Sequence, residues 1–566
     1  MRPARSTVLK FALIALMLWC LWLPLSDMLQ YPERISVFPN LVTDAATYYE
    51  LARQLSTSWH NNIPTFYPPV WIGLMAGVFT ITGASLIAGK LISWIGLVTC
   101  VVLAAWLARR VYGRPAAWVA ALLCASSAGL RAYVGTLQYE VTTAAILLVS
   151  VVLAVRASEA RTPAQGHRRA ALAGLSGAVL ILTRETFVVA VVLLAAWITY
   201  RVAQSATRQH SVALAAVYSV CALSLPLAWT AVQSTREGRL VLVTDKGPIT
   251  IALGNNPRAN GTYNETLVGM AEPAGVPFIR QYPERAAVLF VRKALYFWGV
   301  LRDGWTAPQP VNAWVWRATT GALPLQWISA IVRGGWLLVA FLISLWLLGR
   351  AGLTKWWVLP AIVVAVWAIH IISLSSYRFA VPTLPLAYIT VSGPMAAFLR
   401  RVAVVLRIPI VLLAMIAAAG IAVAAQYQSW PLLVSYDAVD LDGAAATNEL
   451  DAVSRRPARI ADARRGVRPI VLLADEYLPS GRLTAIVRTR RLSEGNDRAA
   501  LRIALYHLDG TPACLSDVPS RDLPRDRFVD VEVGCQLRSD GPATLAVMTL
   551  GVADLAIDRV NLSWHQ

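Results

Sequence analysis

Residues 86–110 read Leu86-Ile87-Ala88-Gly89-Lys90-Leu91-Ile92-Ser93-Trp94-Ile95-Gly96-Leu97-Val98-Thr99-Cys100-Val101-Val102-Leu103-Ala104-Ala105-Trp106-Leu107-Ala108-Arg109-Arg110. The apolar run over 86–107, closed by two arginines, is long enough to cross a hydrocarbon layer of about 30 Å as a helix. Further apolar segments lie at about 8–25, 115–130, 141–155, 170–183, 187–200, 211–233, 327–349, 356–374, 380–399 and 408–426, which predicts about eleven spans. Composition agrees. The chain has 566 residues, 57% hydrophobic and 15% charged, with a mean hydropathy of +0.55. Soluble domains carry about 25% charged residues. An integral membrane protein with a soluble part attached is therefore expected.

The net charge of +19 is placed in clusters between the apolar runs. Arg109, Arg110 and Arg114 form one cluster, and Arg156, Arg161, His167, Arg168 and Arg169 the next. Arg201 with Arg208, Arg350 with Lys355, and Arg400, Arg401 with Arg407 follow. All fall on the side of the basic N-terminus (Arg2, Arg5, Lys10), which the positive-inside rule makes cytoplasmic. No continuous basic stripe with interleaved aromatics stands on a soluble fold, so nucleic acid is excluded as a partner. The first apolar run is followed by Ser26-Asp27-Met28, without a small-residue cleavage site, and reads as a retained helix. The opposite, outer side receives 26–85, 131–140, 234–326, the Tyr377-Arg378 turn and everything after Gln426. Two segments strain this count. The short runs 170–183 and 187–200 read as a tilted or broken pair meeting at Arg184-Glu185, and Pro68–Thr82 reads as interfacial or re-entrant on the outer face.

Three regions follow: a transmembrane domain over 1–429 with outer loops 26–85 and 234–326, a linker over 430–466, and an extracytoplasmic β-sandwich over 467–566. The last rests on period-two alternation around 468–473, 483–488, 501–506, 528–533 and 543–547, punctuated by Asp509-Gly510 and Asp540-Gly541. Cys20, Cys100, Cys124 and Cys221 fall in apolar runs as buried thiols. Cys514 and Cys535 are disulfide candidates if their region is outside the cytoplasm, and free thiols otherwise.

The spans are nearly free of acids, whereas ion-coupled transporters keep buried carboxylates near the midplane. Reactive groups gather at the outer ends instead. Asp44, in Leu41-Val42-Thr43-Asp44-Ala45-Ala46-Thr47-Tyr48-Tyr49-Glu50, suits a general base or a helix N-cap. Tyr48 is one helical turn on and shares its face. Glu140, in Gln138-Tyr139-Glu140, suits a helix cap, an acceptor contact or, with Asp44, a divalent cation. Arg378, Arg184 and Lys293 (with Arg292 and Arg302 nearby) suit a phosphate or anionic headgroups. Asn255 and Asn256 suit sugar hydroxyls or a turn around Pro257. Trp298, Trp305, Trp314 and Trp316 suit sugar stacking or an interfacial belt.

Several segments resemble motifs of one superfamily when taken in order. These are Asp44-Ala45-Ala46-Thr47-Tyr48-Tyr49-Glu50-Leu51-Ala52, Tyr67-Pro68-Pro69, Leu182-Thr183-Arg184, Gly254-Asn255-Asn256-Pro257, and Tyr377-Arg378-Phe379 with Pro382 and Pro385. Over roughly 1–425 the chain resembles GT-C superfamily glycosyltransferases that use polyprenyl-phosphate sugars, near the protein mannosyltransferase and aminoarabinose transferase-like families. The resemblance implies a polytopic α-helical catalyst at the outer face of a bacterial inner membrane. It implies a polyprenyl-phosphate-linked sugar as donor and a glycan, lipid or protein as acceptor, with Asp44 as general base. Arg378, Arg184 and Lys293 would bind the donor phosphate, and Tyr48, Glu140, Asn255 and Asn256 the sugar or acceptor. No cofactor is implied for certain, and a divalent cation at Asp44 and Glu140 stays open. Aminoarabinose transferase-like members often carry Lys before the proline pair where this chain has Tyr67, which leaves the donor sugar open. The competing expectation is a polyprenyl-linked glycan transporter or a non-catalytic membrane scaffold.

Overall fold

The structure is a computed structural model. It describes residues 3–30, 42–58, 63–204, 207–256, 259, 261–262, 273–301, 335–350 and 354–406, and then 433–565 apart from 438–441, 444–445, 451–456, 462–467, 479–480, 495–496, 508–510, 526 and 538–540. The span expected at 408–426, and Arg302, Trp305, Trp314 and Trp316, lie outside the described residues.

The first part is helical. In chain order the helices are α1 (Pro3–Gln30), α2 (Val42–Thr57), α3 (Pro69–Thr82), α4 (Leu86–Tyr112), α5 (Arg114–Ser126), α6 (Ala128–Ala132), α7 (Glu140–Ser158), α8 (Pro163–Thr183), α9 (Val188–Ala203), α10 (Arg208–Glu237), α11 (Lys246–Gly254), α12 (Val276–Gln281), α13 (Pro283–Phe297), α14 (Trp336–Arg350), α15 (Val358–Ile372), α16 (Tyr377–Ala380) and α17 (Leu384–Leu406). Among the described residues, six segments are long and apolar enough to cross a membrane: Leu86–Tyr112, Arg114–Ala132, Glu140–Ser158, Glu185–Ala203, Arg208–Glu237 and Tyr377–Arg401. Four shorter apolar helices accompany them: Phe11–Ser26, Pro69–Thr82, Trp336–Gly349 and Val358–Ile372.

Local chemistry sets the helix ends. The Ser85 hydroxyl caps α4 by accepting from Ala88 N–H, and Thr162 and Thr207 cap α8 and α10 in the same way. Helix α8 stops where Arg184 turns extended (φ −160°, ψ 113°). After the 3-10 turn Glu185–Phe187 the chain resumes as α9. Between α8 and α10 the backbones touch. A Cβ on Gly174 would overlap the Tyr218 carbonyl oxygen, so only glycine fits there.

Helices α2 and α3 form a separate apolar unit that matters for the site. Ala45, Tyr48, Ala52 and Leu55 of α2 pack on Trp71, Ile72, Met75 and Phe79 of α3. Leu137 and Tyr139, from the segment before α7, complete this cluster. The indole Nε1 of Trp71 donates to the Leu137 carbonyl at 2.9 Å, which fixes that segment against α3.

The C-terminal part is β. One six-stranded sheet holds β1 (Leu433–Asp437), β3 (Ala446–Leu450), β4 (Pro457–Ala461), β6 (Gly481–Arg491), β9 (Val529–Leu537) and β11 (Leu555–His565). A five-stranded sheet holds β2 (Asp442–Gly443), β5 (Arg468–Leu478), β7 (Ala499–His507), β8 (Pro512–Pro519) and β10 (Gly541–Thr549). Val487, Val533, Ile557 and Val560 of the first share one core with Ile470, Leu501, Ile503 and Val547 of the second. The five alternating stretches of the sequence are β5, β6, β7, β9 and β10. The expected linker over 430–466 is corrected. It contributes β1 to β4, and β1 pairs with β11 from Leu433↔Ser563 to Asp437↔Arg559. These strands are two to five residues long, so no run is long enough to display a period of two.

A disulfide joins Cys514 on β8 to Cys535 on β9, with Cα atoms 5.6 Å apart, and so ties the two sheets together. It closes a loop with a sequence separation of 21. Replacing both cysteines by serine should lower the stability of the β region by about 3 kcal/mol. Hydrogen exchange in β8 and β9 of the full chain reads this. Unchanged protection would mean that the bridge constrains nothing.

Candidate active site

Three segments far apart in sequence meet at Arg378. Its guanidinium Nη1 donates to Asp44 Oδ2 at 3.0 Å, and its Nε donates to Glu140 Oε1. Each is placed by its own element. Asp44 sits in the first turn of α2, and Glu140 is the first residue of α7. Arg378 is the second residue of the short helix α16, whose cap is the Ser376 hydroxyl accepting from Arg378 N–H at 3.2 Å. Exposure separates their roles. The Arg378 side chain is 4% exposed and Glu140 0%, whereas Asp44 keeps 22%. One guanidinium thus spans two carboxylates, and only Asp44 faces solvent. Leaving either charge buried without the other would cost roughly 3–5 kcal/mol.

Aromatic rings wall this cluster. Tyr139 lies under both arginines, its centroid 6.0 Å from the Arg378 guanidinium carbon and 5.8 Å from that of Arg184. Arg184 also stands 4.7 Å over Phe379, whose other neighbour is the stacked ring of His370 at 4.5 Å. Tyr48 is fully buried, with its centroid 5.7 Å from Tyr139 and 5.5 Å from Tyr67. Burial above all, with Tyr139 and Asp44 adding to it and Arg378 opposing, raises the Tyr48 phenol well above its ordinary value. Tyr48 therefore keeps its proton as a hydrogen-bond donor.

The cluster is rich in buried polar atoms that lack a partner among the described residues. These are Glu140 Oε2, the Tyr48 hydroxyl, Arg184 Nη1 and His370 Nε2. An unsatisfied buried polar group costs about 1–3 kcal/mol. Several in one place mark a site built to receive a polar ligand. A divalent cation fits this donor set poorly. The two carboxylates already share the Arg378 charge, and the described residues contain no group of three His, Cys, Asp or Glu that could hold a metal.

The expected site residues divide. Asp44, Tyr48, Glu140, Arg184 and Arg378 come together. Lys293, Asn255 and Asn256 do not present their side chains to this cluster. Lys293 is fully buried, and its ammonium donates to Asn255 Oδ1 at 2.8 Å and to the Ile372 carbonyl at 3.4 Å. Asn255 Nδ2 donates to the carbonyls of Ile251 at 2.8 Å and Ile372 at 2.9 Å. Asn256 Nδ2 donates to those of Ala252 and Leu253, both at 3.1 Å. Lys293 and Asn255 thus hold one another and the backbone carbonyls of Ile251 and Ile372, while Asn256 binds carbonyls of α11 and lines a small cavity with Phe278, Arg285 and Arg292. Asn255 and Lys293 form a clamp on the turn that leads to Arg378. A Cβ on Gly254 would overlap the Ser373 carbonyl oxygen, and Ser375 N–H donates to the Gly261 carbonyl at 3.2 Å. The guanidinium of Arg378, expected at the donor phosphate, contacts the two carboxylates of Asp44 and Glu140. Gln138, Tyr139, Phe379 and His370 were not anticipated. Gln138, Tyr139 and Phe379 are signalled in the sequence only by adjacency to Glu140 and Arg378, and His370, inside the apolar run of α15, by nothing.

Solved structures show a distant likeness to the chain. The helical part resembles ArnT from Cupriavidus metallidurans in the apo state, with 14% identity, a TM-score of 0.42, and coverage of 69% of this chain and 59% of that one. The same protein bound to undecaprenyl phosphate gives 12% identity, a TM-score of 0.41, and coverage of 68% and 60%. An oligosaccharyltransferase from Archaeoglobus fulgidus, in complex with Zn and sulfate, gives 15% identity, a TM-score of 0.44, and coverage of 73% and 52%. The chain spans about three fifths of ArnT and about half of the oligosaccharyltransferase. No protein-family model and no curated protein matches it.

Burial lowers the Lys293 ammonium from 10.5 to about 7. Between that value and 10.5 the unfolded chain holds one proton more than the folded chain, so stability rises with pH in this window. Below about 7 both states are protonated and the full penalty applies. The melting temperature of Lys293→Met, taken relative to wild type, should therefore be most favourable near pH 6.5 and fall towards pH 9.5 (roughly the edges of that window). A difference that rises with pH would contradict the clamp.

Proposed function

We propose that the protein is a membrane glycosyltransferase that moves a sugar from a polyprenyl-phosphate donor to an acceptor hydroxyl at the outer face of the bacterial inner membrane. One observation carries this reading: a partly exposed carboxylate, Asp44, oriented by a buried arginine that is itself anchored on a buried glutamate. The acceptor oxygen attacks the anomeric carbon, and its proton passes to the Asp44 carboxylate. The bond from the anomeric carbon to the phosphate oxygen breaks, and the lipid phosphate leaves as an anion. Arg184 stabilises the charge growing there, since its guanidinium is buried beside the cluster with Nη1 unsatisfied among the described residues. Arg378 and Glu140 position Asp44. Tyr48 supplies a protonated phenol to a sugar or acceptor oxygen. A scaffold would have no use for this arrangement.

The same reading places 1–429 as the membrane catalyst. The C-terminal β-sandwich lies outside the cytoplasm, where an oxidising compartment supports the Cys514–Cys535 bridge. There it recognises a glycan, lipid or protein acceptor. Because β1 starts at Leu433, this domain begins earlier than residue 467.

Purified protein given a panel of polyprenyl-phosphate sugars should release lipid phosphate. Asp44→Asn should lower the single-turnover rate by about 10²–10⁴-fold, the usual contribution of a general base. Normal turnover by this variant would remove Asp44 from the chemistry. Passage of labelled lipid across vesicles without donor consumption would favour a transporter.

A further inference from the structure

One cation near the site has no role in the account so far. Lys246 opens α11, and its ammonium lies 4.5 Å from the centroid of Phe66 and 5.1 Å from that of Tyr67. Tyr67 packs edge-on against Tyr48 at 5.5 Å, and Tyr48 lies in the field of Asp44, Glu140 and Arg378. Lys246 therefore stands at one end of an aromatic wall whose other end is the carboxylate cluster. Phe66 is 37% exposed, so the Lys246 end opens to solvent.

The surroundings hold the ammonium in place without neutralising it. Asp245 N–H donates to the Thr65 carbonyl at 3.1 Å, and Tyr67 N–H to that of Pro64 at 3.0 Å. Gln233 Nε2 donates to the Ile63 carbonyl at 3.3 Å. The adjacent acid, Asp245, is taken by Arg239 in a two-point contact of 2.7 and 3.1 Å. No carboxylate pairs with Lys246 among the described residues. Helix formation does not explain the residue either, because a cation in the first turn opposes the helix macrodipole. Two aromatic faces contribute about 0.5–2 kcal/mol and leave the full positive charge available.

We propose that Lys246, caged by Phe66 and Tyr67, is the entry subsite that captures the phosphate of the polyprenyl donor, before Arg184 acts on it during transfer. This rests on the glycosyl-transfer reading and adds to it a residue that selects phosphorylated over neutral polyprenyl lipid. The chemistry recognised is an oxyanion on a lipid, met by a fixed ammonium whose aromatic neighbours also suit an apolar tail.

The test is binding of polyprenyl monophosphate and of the matching polyprenol to the full-length protein in nanodiscs of neutral lipid. Wild type should prefer the phosphate. Lys246→Met should weaken phosphate binding by about tenfold or more while leaving the alcohol unchanged. Lys246→Arg should restore the preference. Wild-type affinity for the phosphate in Lys246→Met would overturn the proposal. Equal loss for both lipids would also overturn it, by showing a packing role. If wild type itself does not distinguish the two lipids, the glycosyl-transfer reading falls with it. A preference kept in wild type and in Lys246→Met alike removes Lys246 alone.

Discussion

A single guanidinium shared between two carboxylates is the constraint on which the rest of the site depends. Glu140 is completely buried, and a charge there is tolerated only beside Arg378. Arg378 in turn reaches Asp44, so the position of the one partly exposed acid is set by a residue 334 positions away in the chain. Every element that meets this trio has a reason to be where it is. The α2–α3 pair carries Asp44, the Trp71 bond to Leu137 holds the approach to Glu140, and the Gly254–Asn255–Lys293 clamp holds the turn before Arg378.

Two basic residues near the trio are oriented by different means. Lys293 looks like a phosphate ligand because it is a lysine on an amphipathic helix at an expected membrane surface. Its ammonium is instead turned inward on an amide and a backbone carbonyl, where it stiffens the turn that delivers Arg378. Arg184 sits at the junction between α8 and α9, where the backbone turns extended and its side chain is laid over Phe379 and Tyr139. A helix break at that point does for Arg184 what the clamp does for Arg378: it aims a buried cation at one small volume.

Much of the helical part was legible because hydrophobicity and charge report directly on a bilayer. The run at 86–107 and the break at Arg184-Glu185 both have counterparts in the structure. Asp44, Glu140 and Arg378 were legible as polar residues at span ends. Their mutual contact was not, since nothing in a linear chain encodes separations of 238 and 334 residues. The C-terminal strands with nine to eleven residues showed their alternation. The strands between 433 and 461 did not, because they are two to five residues long and are held by β11, β5 and, for β3, by β4. The carbonyl contacts of Asn255 and Asn256 are not legible either, because an amide that binds a sugar and an amide that binds a carbonyl look alike in sequence.

The central claim is that Asp44 and Arg378 act as one unit. A double-mutant cycle on single-turnover release of lipid phosphate, using Asp44→Asn, Arg378→Gln and the pair, measures it directly. Groups that act together are strongly non-additive. The account predicts that the double variant is no slower than the slower single variant. Effects that multiply independently would contradict it.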